Sequence, residues 1–83
     1  MSLDTTKAIE QKVVDVVSSV LGADKSKITE STNFTTDIRV DSLDMVEMMM
    51  QLEDVFNLQI PEEEAQKMKT VGEVIEYIKR HKQ

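Results

Sequence analysis

The spacing of the apolar residues constrains this 83-residue chain most, because it has the period of an α-helix. In the first quarter of the chain the apolar residues recur four, three and one positions apart, and the alternation that a strand needs is absent. This pattern predicts a helix from Thr6 to Leu21, which Gly22 ends with a left-handed residue. Its apolar face consists of Ile9, Val13, Val16, Val17, Val20 and Leu21.

A second helix is predicted to begin after Asp41, which is a good N-cap residue. Asp44 then occupies the third helical position, where a carboxylate can accept hydrogen bonds from free backbone N–H groups. The helix is expected to run to Phe56, because Asn57 can adopt the left-handed conformation that ends a helix.

Two further helices are predicted near the end of the chain. A short third helix has Pro61 in its first turn, three glutamates at its positive end, and an end near Met68. The fourth opens with the capping box Thr70-Val71-Gly72-Glu73. Its basic end, Lys79-Arg80-His81-Lys82, suits a helix C-terminus.

Residues 23–40 show no sustained period, although four apolar residues are spread through them. A connection of this length is expected to be a loop that packs on the core at several points. The apolar residues of the loop are Ile28, Phe34, Ile38 and Val40.

The fold class predicted is therefore all-α, a four-helix bundle with three longer helices, one short third helix and a long loop between the first two. One domain over residues 1–83 is expected.

The charge of the chain is concentrated in one segment. The net charge is -6. Residues 40–66 contain eight acidic and no basic residues (net −8), which leaves ten basic against eight acidic residues elsewhere (net +2). This distribution predicts a surface for a basic partner and argues against nucleic acid, whose phosphates require clustered Lys and Arg.

The composition also limits the kinds of site that the chain can form and its place in the cell. The chain has no cysteine and a single histidine, His81, so we expect neither a thiolate metal site nor catalysis. A calcium loop beginning at Asp37 fails, because Met48 stands where a bidentate glutamate is needed. With no apparent signal peptide and no apolar run long enough to span a membrane, the chain is expected to be cytoplasmic and not to insert into a membrane. A monomer is also expected.

The second helix carries more apolar residues than one core face requires. A helical projection gives a core stripe, a solvated face, and a third sector that contains Leu43, Val46 and Met50. Two interpretations stay open: the third sector is buried by a second neighbour, or it is an exposed docking strip rimmed by carboxylates. The core stripe comprises Met45, Met48, Met49, Leu52, Val55 and Phe56, and the solvated face comprises Asp44, Glu47, Gln51 and Asp54.

Ser42 follows the N-cap and is expected at the exposed start of the second helix. Capping alone explains a serine in this region. A phosphoryl group attached to it would, however, be stabilised by the positive helix end. No base is at hand to activate the hydroxyl, so any role of Ser42 would be that of an attachment point.

Three motifs follow one another from the start of the second helix. They are Asp41-Ser42-Leu43-Asp44, Leu52-Glu53-Asp54-Val55-Phe56 and Ile60-Pro61-Glu62-Glu63-Glu64-Ala65. In these motifs the sequence resembles the acyl carrier protein family. The resemblance extends over nearly the whole chain, including Phe34 and Asp37 in the loop. This sequence departs from the family pattern in two places. The pair Ile38-Arg39 stands where Leu-Gly is usual, and glycine permits a conformation that arginine resists. Gln66 stands where an acidic residue is common.

The resemblance implies roles for particular residues. Ser42, with Asp41 beside it, would carry a 4′-phosphopantetheine arm supplied from coenzyme A by a carrier-protein transferase, and the arm would hold acyl groups as thioesters. Enzymes of fatty acid synthesis would dock through basic patches. The docking residues implied are Leu43, Asp44, Val46, Glu47, Met50, Glu53, Asp54, Ile60 and Ala65, and the acyl cavity implied is lined by Phe34, Met48, Leu52, Ile60 and Met68.

Two alternatives to fatty acid synthesis stay open. The chain could serve a specialised pathway that carries polyketide, aminoacyl or lipid-A-type acyl groups, for which Arg39 hints at a dedicated partner. It could also be an acidic helical adaptor that carries nothing. The adaptor would tolerate loss of the Ser42 hydroxyl.

Overall fold

The computed structural model describes the backbone of residues 2–81 and the side chains of residues 7–81. Within that range the chain forms four helices and no strand, so the predicted all-α, four-helix fold is confirmed. None of these helices combines the length and the apolar character that crossing a bilayer requires. The helices are α1 (Ser2–Leu21), α2 (Ser42–Phe56), α3 (Glu62–Lys67) and α4 (Val71–His81).

Two helix starts differ from those predicted. Helix α1 begins at Ser2, four residues before Thr6. The apolar period carries no information before Ile9, and the preceding residues include no glycine or proline that would stop a helix. Pro61 is the N-cap of α3 and not a residue of its first turn. Of the predicted basic end of α4, Lys82 lies outside the described residues.

Helix α1 supplies the centre of the core, where it packs against both α2 and α4. Its predicted apolar face is confirmed, with Ile9, Val13, Val16 and Val17 buried and the last two residues half-buried. The loop before α2 is also packed as predicted, since Ile28 and Phe34 are buried. One 3-10 turn at Lys25–Lys27 interrupts this loop.

The loop caps the start of α4 with its own main chain. The amide of Val71 donates to the carbonyl of Thr32 at 3.0 Å, and the amide of Gly72 donates to the carbonyl of Glu30 at 2.8 Å. The first turn of any helix has N–H groups without helical partners. Here the loop accepts two of them, so the position of the loop is tied to that of α4.

The predicted capping box of α4 is present. The amide of Glu73 donates to Thr70 Oγ1 at 3.2 Å, and Glu73 Oε1 accepts from the amides of Thr70 at 3.0 Å and Lys69 at 2.7 Å. These backbone donors stabilise the ionised carboxylate and hold the pKa of Glu73 below its ordinary value. The hydrogen bonds that Thr70 and Glu73 exchange therefore fix the start of α4.

Both predicted ends of α2 are confirmed, whereas one predicted core residue is wrong. Asp41 Oδ1 accepts from the amide of Asp44 at 3.0 Å, and Asn57 ends the helix with a φ of 54°. Val55 is 44% exposed, although the helical projection assigns it to the core stripe. It lies at the edge of that stripe, at about 120° in the helical projection, and in the last turn of the helix.

We predict that Gly72→Ala destabilises the protein by about 1–3 kcal/mol. An added Cβ would lie 2.9 Å from the Glu30 carbonyl oxygen, which is main chain and already bound to the Gly72 amide. At an open helical position the same substitution stabilises by roughly 1 kcal/mol. Urea denaturation measures the difference, and a more stable Gly72→Ala variant would contradict the close approach.

Candidate functional site

Ser42 is the first residue of α2 and is exposed. Its hydroxyl forms no hydrogen bond with any other residue in the described part of the chain. The chain's single histidine lies at the end of α4, where its ring stacks on Tyr77 at 4.0 Å and its Nδ1 lies 2.9 Å from the Tyr77 carbonyl oxygen. The Ser42 hydroxyl is therefore open to modification, and the histidine is engaged elsewhere.

Leu43, Val46 and Met50 form an exposed apolar strip on α2. They are 78%, 54% and 61% exposed, respectively. The interpretation in which a second neighbour buries this sector is therefore wrong. Glu47 and Asp54 are exposed on the same helix and Asp44 is half-buried, so the strip is a large apolar surface next to carboxylates.

Glu53 has a structural contact that the sequence pattern does not predict. Its Oε2 accepts from the amide of Ile60 at 2.8 Å, which ties the last turn of α2 to the segment before α3. Ile60 is only 6% exposed and lies on the wall of the cavity described below. Ala65 is half-buried and also faces the cavity.

An open cavity of about 580 Å³ lies between α2, α3 and the end of the long loop. Ser42 is part of its wall, and so are Phe34, Ile60 and Met68, which were expected there. Most of the remaining wall is apolar, and polar side chains also contribute. The residues not expected at this wall are Thr35, Val40, Met45, Val46, Met49, Met50, Glu53, Glu62, Ala65, Gln66 and Lys69.

Two of the residues expected to line the cavity do not line it. Met48 and Leu52 are fully buried in the core, and Met45 and Met49 take their place at the cavity. In the helical projection Met48 and Leu52 lie at about 140° and 180°, whereas Met45 and Met49 lie at about 200° and 240°. The period locates the apolar stripe, but it does not tell which edge of the stripe faces which neighbour.

Arg39 adopts the left-handed conformation that arginine resists, with a φ of 59°. The only other non-glycine residue with a positive φ in the described range is Asn57, a helix C-cap of a kind that often takes this conformation. A left-handed backbone costs an ordinary L-residue roughly 1–2 kcal/mol. The side chain of Arg39 is exposed and has no hydrogen bond or ion pair within the described residues.

Comparison with known proteins identifies the family. The model of the phosphopantetheine attachment site matches residues 11–78. The chain is 46% identical over 77 residues to an acyl carrier protein of Lactobacillus johnsonii, covering 93% of this chain and 96% of the relative. It is 49% identical over 77 residues to one of Rickettsia canadensis, covering 93% and 90%, respectively. The chain belongs to the acyl carrier protein family. It therefore takes a 4′-phosphopantetheine arm and carries acyl groups on it.

The geometry around Ser42 fits such an arm. A phosphodiester on an exposed hydroxyl would lie at the positive end of a 15-residue helix. The cavity beside Ser42 is large enough for a small apolar group. The arm supplies the thiol that a chain without cysteine cannot provide.

We predict that Glu53→Ala lowers the free energy of unfolding by about 1–2 kcal/mol, because the Ile60 amide loses a charged acceptor. Glu47→Ala is the matched control, since Glu47 is exposed on the same helix and forms no hydrogen bond in the described structure. It is expected to change stability by less than about 0.5 kcal/mol. Equal losses in the two variants, measured in urea, would contradict a structural role for Glu53.

Proposed function

We propose that Ser42 is the residue that carries the arm. A carrier-protein transferase would join the serine oxygen to the phosphorus of the phosphopantetheine part of coenzyme A, with loss of the hydroxyl proton, cleavage of the diphosphate bond and release of the adenosine bisphosphate part. The observation that carries this proposal is the position of Ser42: an exposed hydroxyl without a partner among the described residues, at the first residue of α2 and on the wall of the cavity. Asp41 supports this role by capping the helix through the amide of Asp44, which leaves Ser42 clear of capping.

The cavity is proposed to shelter the acyl group. When bound, the arm supplies a terminal thiol that holds acyl groups as thioesters. The apolar wall removes the chain of the acyl group from water, which stabilises the enclosed state by roughly 0.8 kcal/mol per buried CH₂. Met45, Met49 and Met68 lie on this wall, and flexible methionine side chains can repack around chains of different length.

The exposed face of α2 is proposed to dock enzymes of fatty acid synthesis that carry basic patches. Leu43, Val46 and Met50 would bury their apolar side chains against the partner. The carboxylates of residues 40–66 would attract the partner's cations and speed the encounter. Asp44, Glu47 and Asp54 are the docking carboxylates, while Glu53 contributes its charge from its bond to the Ile60 amide.

We further propose that the chain is a single carrier domain that acts as a cytoplasmic monomer and is not itself a catalyst. The exposed strip has to stay free if successive enzymes are to bind it, which favours a monomer. Coenzyme A, the source of the arm, is an intracellular cofactor, which favours the cytoplasm. A specialised acyl pathway is the second candidate, and the charged, left-handed Arg39 beside the site favours it.

We predict that incubation with coenzyme A and a carrier-protein transferase adds the mass of one phosphopantetheine to the protein, and that Ser42→Ala abolishes the addition. Intact-protein mass spectrometry measures both. Ser31→Ala, which removes another exposed hydroxyl, is the control and should load normally. An adduct that survives Ser42→Ala would overturn the assignment of the site.

We predict that Leu43→Asp lowers kcat/KM for loading by the transferase at least about tenfold, as expected for a central apolar contact. Val55→Asp is the matched control, since Val55 is exposed on α2 but lies outside the strip. It should change kcat/KM less than about threefold. Equal effects of the two substitutions, with helicity retained in both, would contradict docking through the strip.

Identification of the group bound as a thioester on protein from its native host separates the two candidate pathways. Fatty acyl groups support fatty acid synthesis. Polyketide, aminoacyl or hydroxyacyl groups of the lipid-A type support the specialised pathway.

A further inference from the structure

We propose that the guanidinium group of Arg39 pairs with the phosphodiester of the arm and positions the arm at the start of α2. This inference rests on the proposed attachment at Ser42. It adds a residue of this chain that holds the arm, at a position where the family resemblance implies no charge.

The conformation of Arg39 is the first observation. Its φ of 59° is unfavourable for a residue with a Cβ. Its exposed side chain has no hydrogen bond or ion pair within the described residues that would offset this cost. Backbone strain of this kind is concentrated at functional sites, and the guanidinium group of Arg39 is available here to a group that binds later.

The charges around Ser42 are the second observation. The start of α2 already contains two carboxylates, those of Asp41 and Asp44. A phosphodiester on Ser42 adds a third negative charge to the same helix turn. Residues 40–66 contain no basic residue, so Arg39 is the nearest cation along the chain in either direction.

The covalent distance permits the contact. Ser42 is three positions after Arg39, and three residue steps span at most about 11 Å even when fully extended. A left-handed residue within this segment shortens the span. The planar guanidinium can then donate two parallel hydrogen bonds to the phosphate oxygens, which a lysine ammonium cannot do.

Lys69 is the competing cation, because it lies on the wall of the same cavity as Ser42. The Lys69 ammonium forms no ion pair within the described residues, and it is only a minor cause of the lowered pKa of Glu73. Arg39 differs from it in lying three positions from Ser42 along the chain and in its left-handed backbone. We therefore assign the contact to Arg39 and test Lys69 beside it.

The experiment compares the protein before and after loading, in the wild type and in Arg39→Gln, Arg39→Lys and Lys69→Gln. Glutamine is non-glycine, so Arg39→Gln removes the charge and keeps the backbone strain. The change in Tm on loading is expected to be about 2–4 °C less favourable in Arg39→Gln than in the wild type. This difference should shrink at high salt. The ³¹P resonance of the loaded protein should move in Arg39→Gln and less in Arg39→Lys.

The loaded mass separates failure of this inference from failure of the proposed function. If Ser42 is never modified, the attachment proposal is wrong, and this inference falls with it. If Ser42 is modified, but Arg39→Gln shifts Tm equally before and after loading and leaves the ³¹P resonance in place, only the Arg39 contact is overturned. A change in Lys69→Gln alone would assign the phosphodiester to Lys69 instead.

Discussion

The burial of one side of α2 is the constraint on which the rest of the site depends. Met48, Leu52 and Phe56 are almost completely buried in a core to which α1 and α4 also contribute apolar faces. Because a helix presents its residues in fixed angular positions, fixing this side also fixes every other side. Leu43 is thereby left exposed and Ser42 lies at the rim of the cavity. Packing in the core thus sets the geometry of a surface site.

Hydrogen bonds that involve the main chain tie the segments on either side of α2 to the helices. The long loop is tied to α4 through the carbonyls of Glu30 and Thr32, and this loop carries Phe34 to the cavity wall. On the other side, Glu53 accepts from the amide of Ile60 and brings that residue to the same wall. Glu53 therefore combines a structural contact with a place in the acidic segment, so substitutions there would mix effects on stability with effects on docking.

Much of the fold and the start of the site could be predicted from the sequence. Caps and periods act over three or four residues, so Asp41, Asn57 and the Thr70–Glu73 box could be located without knowledge of the neighbours. The cavity could be predicted only in part. Met48 and Met49 are adjacent, chemically identical residues of one apolar run and both are buried, yet only Met49 reaches the cavity wall. Val55 is similarly an apolar residue at the edge of the core stripe, yet it is 44% exposed.

The sequence by itself determined the helices, apart from the starts of α1 and α3, as well as the acidic segment and the place of the serine at the start of α2, because these follow from local spacing and charge. Only the tertiary structure decided that the apolar strip is exposed, that Ile60 faces the cavity, and that Arg39 adopts a left-handed backbone. The physical reason is that burial and backbone strain depend on which elements pack together. Contacts between residues far apart in the chain, such as those of the loop with α4, determine which elements pack together. A local sequence pattern does not contain this information.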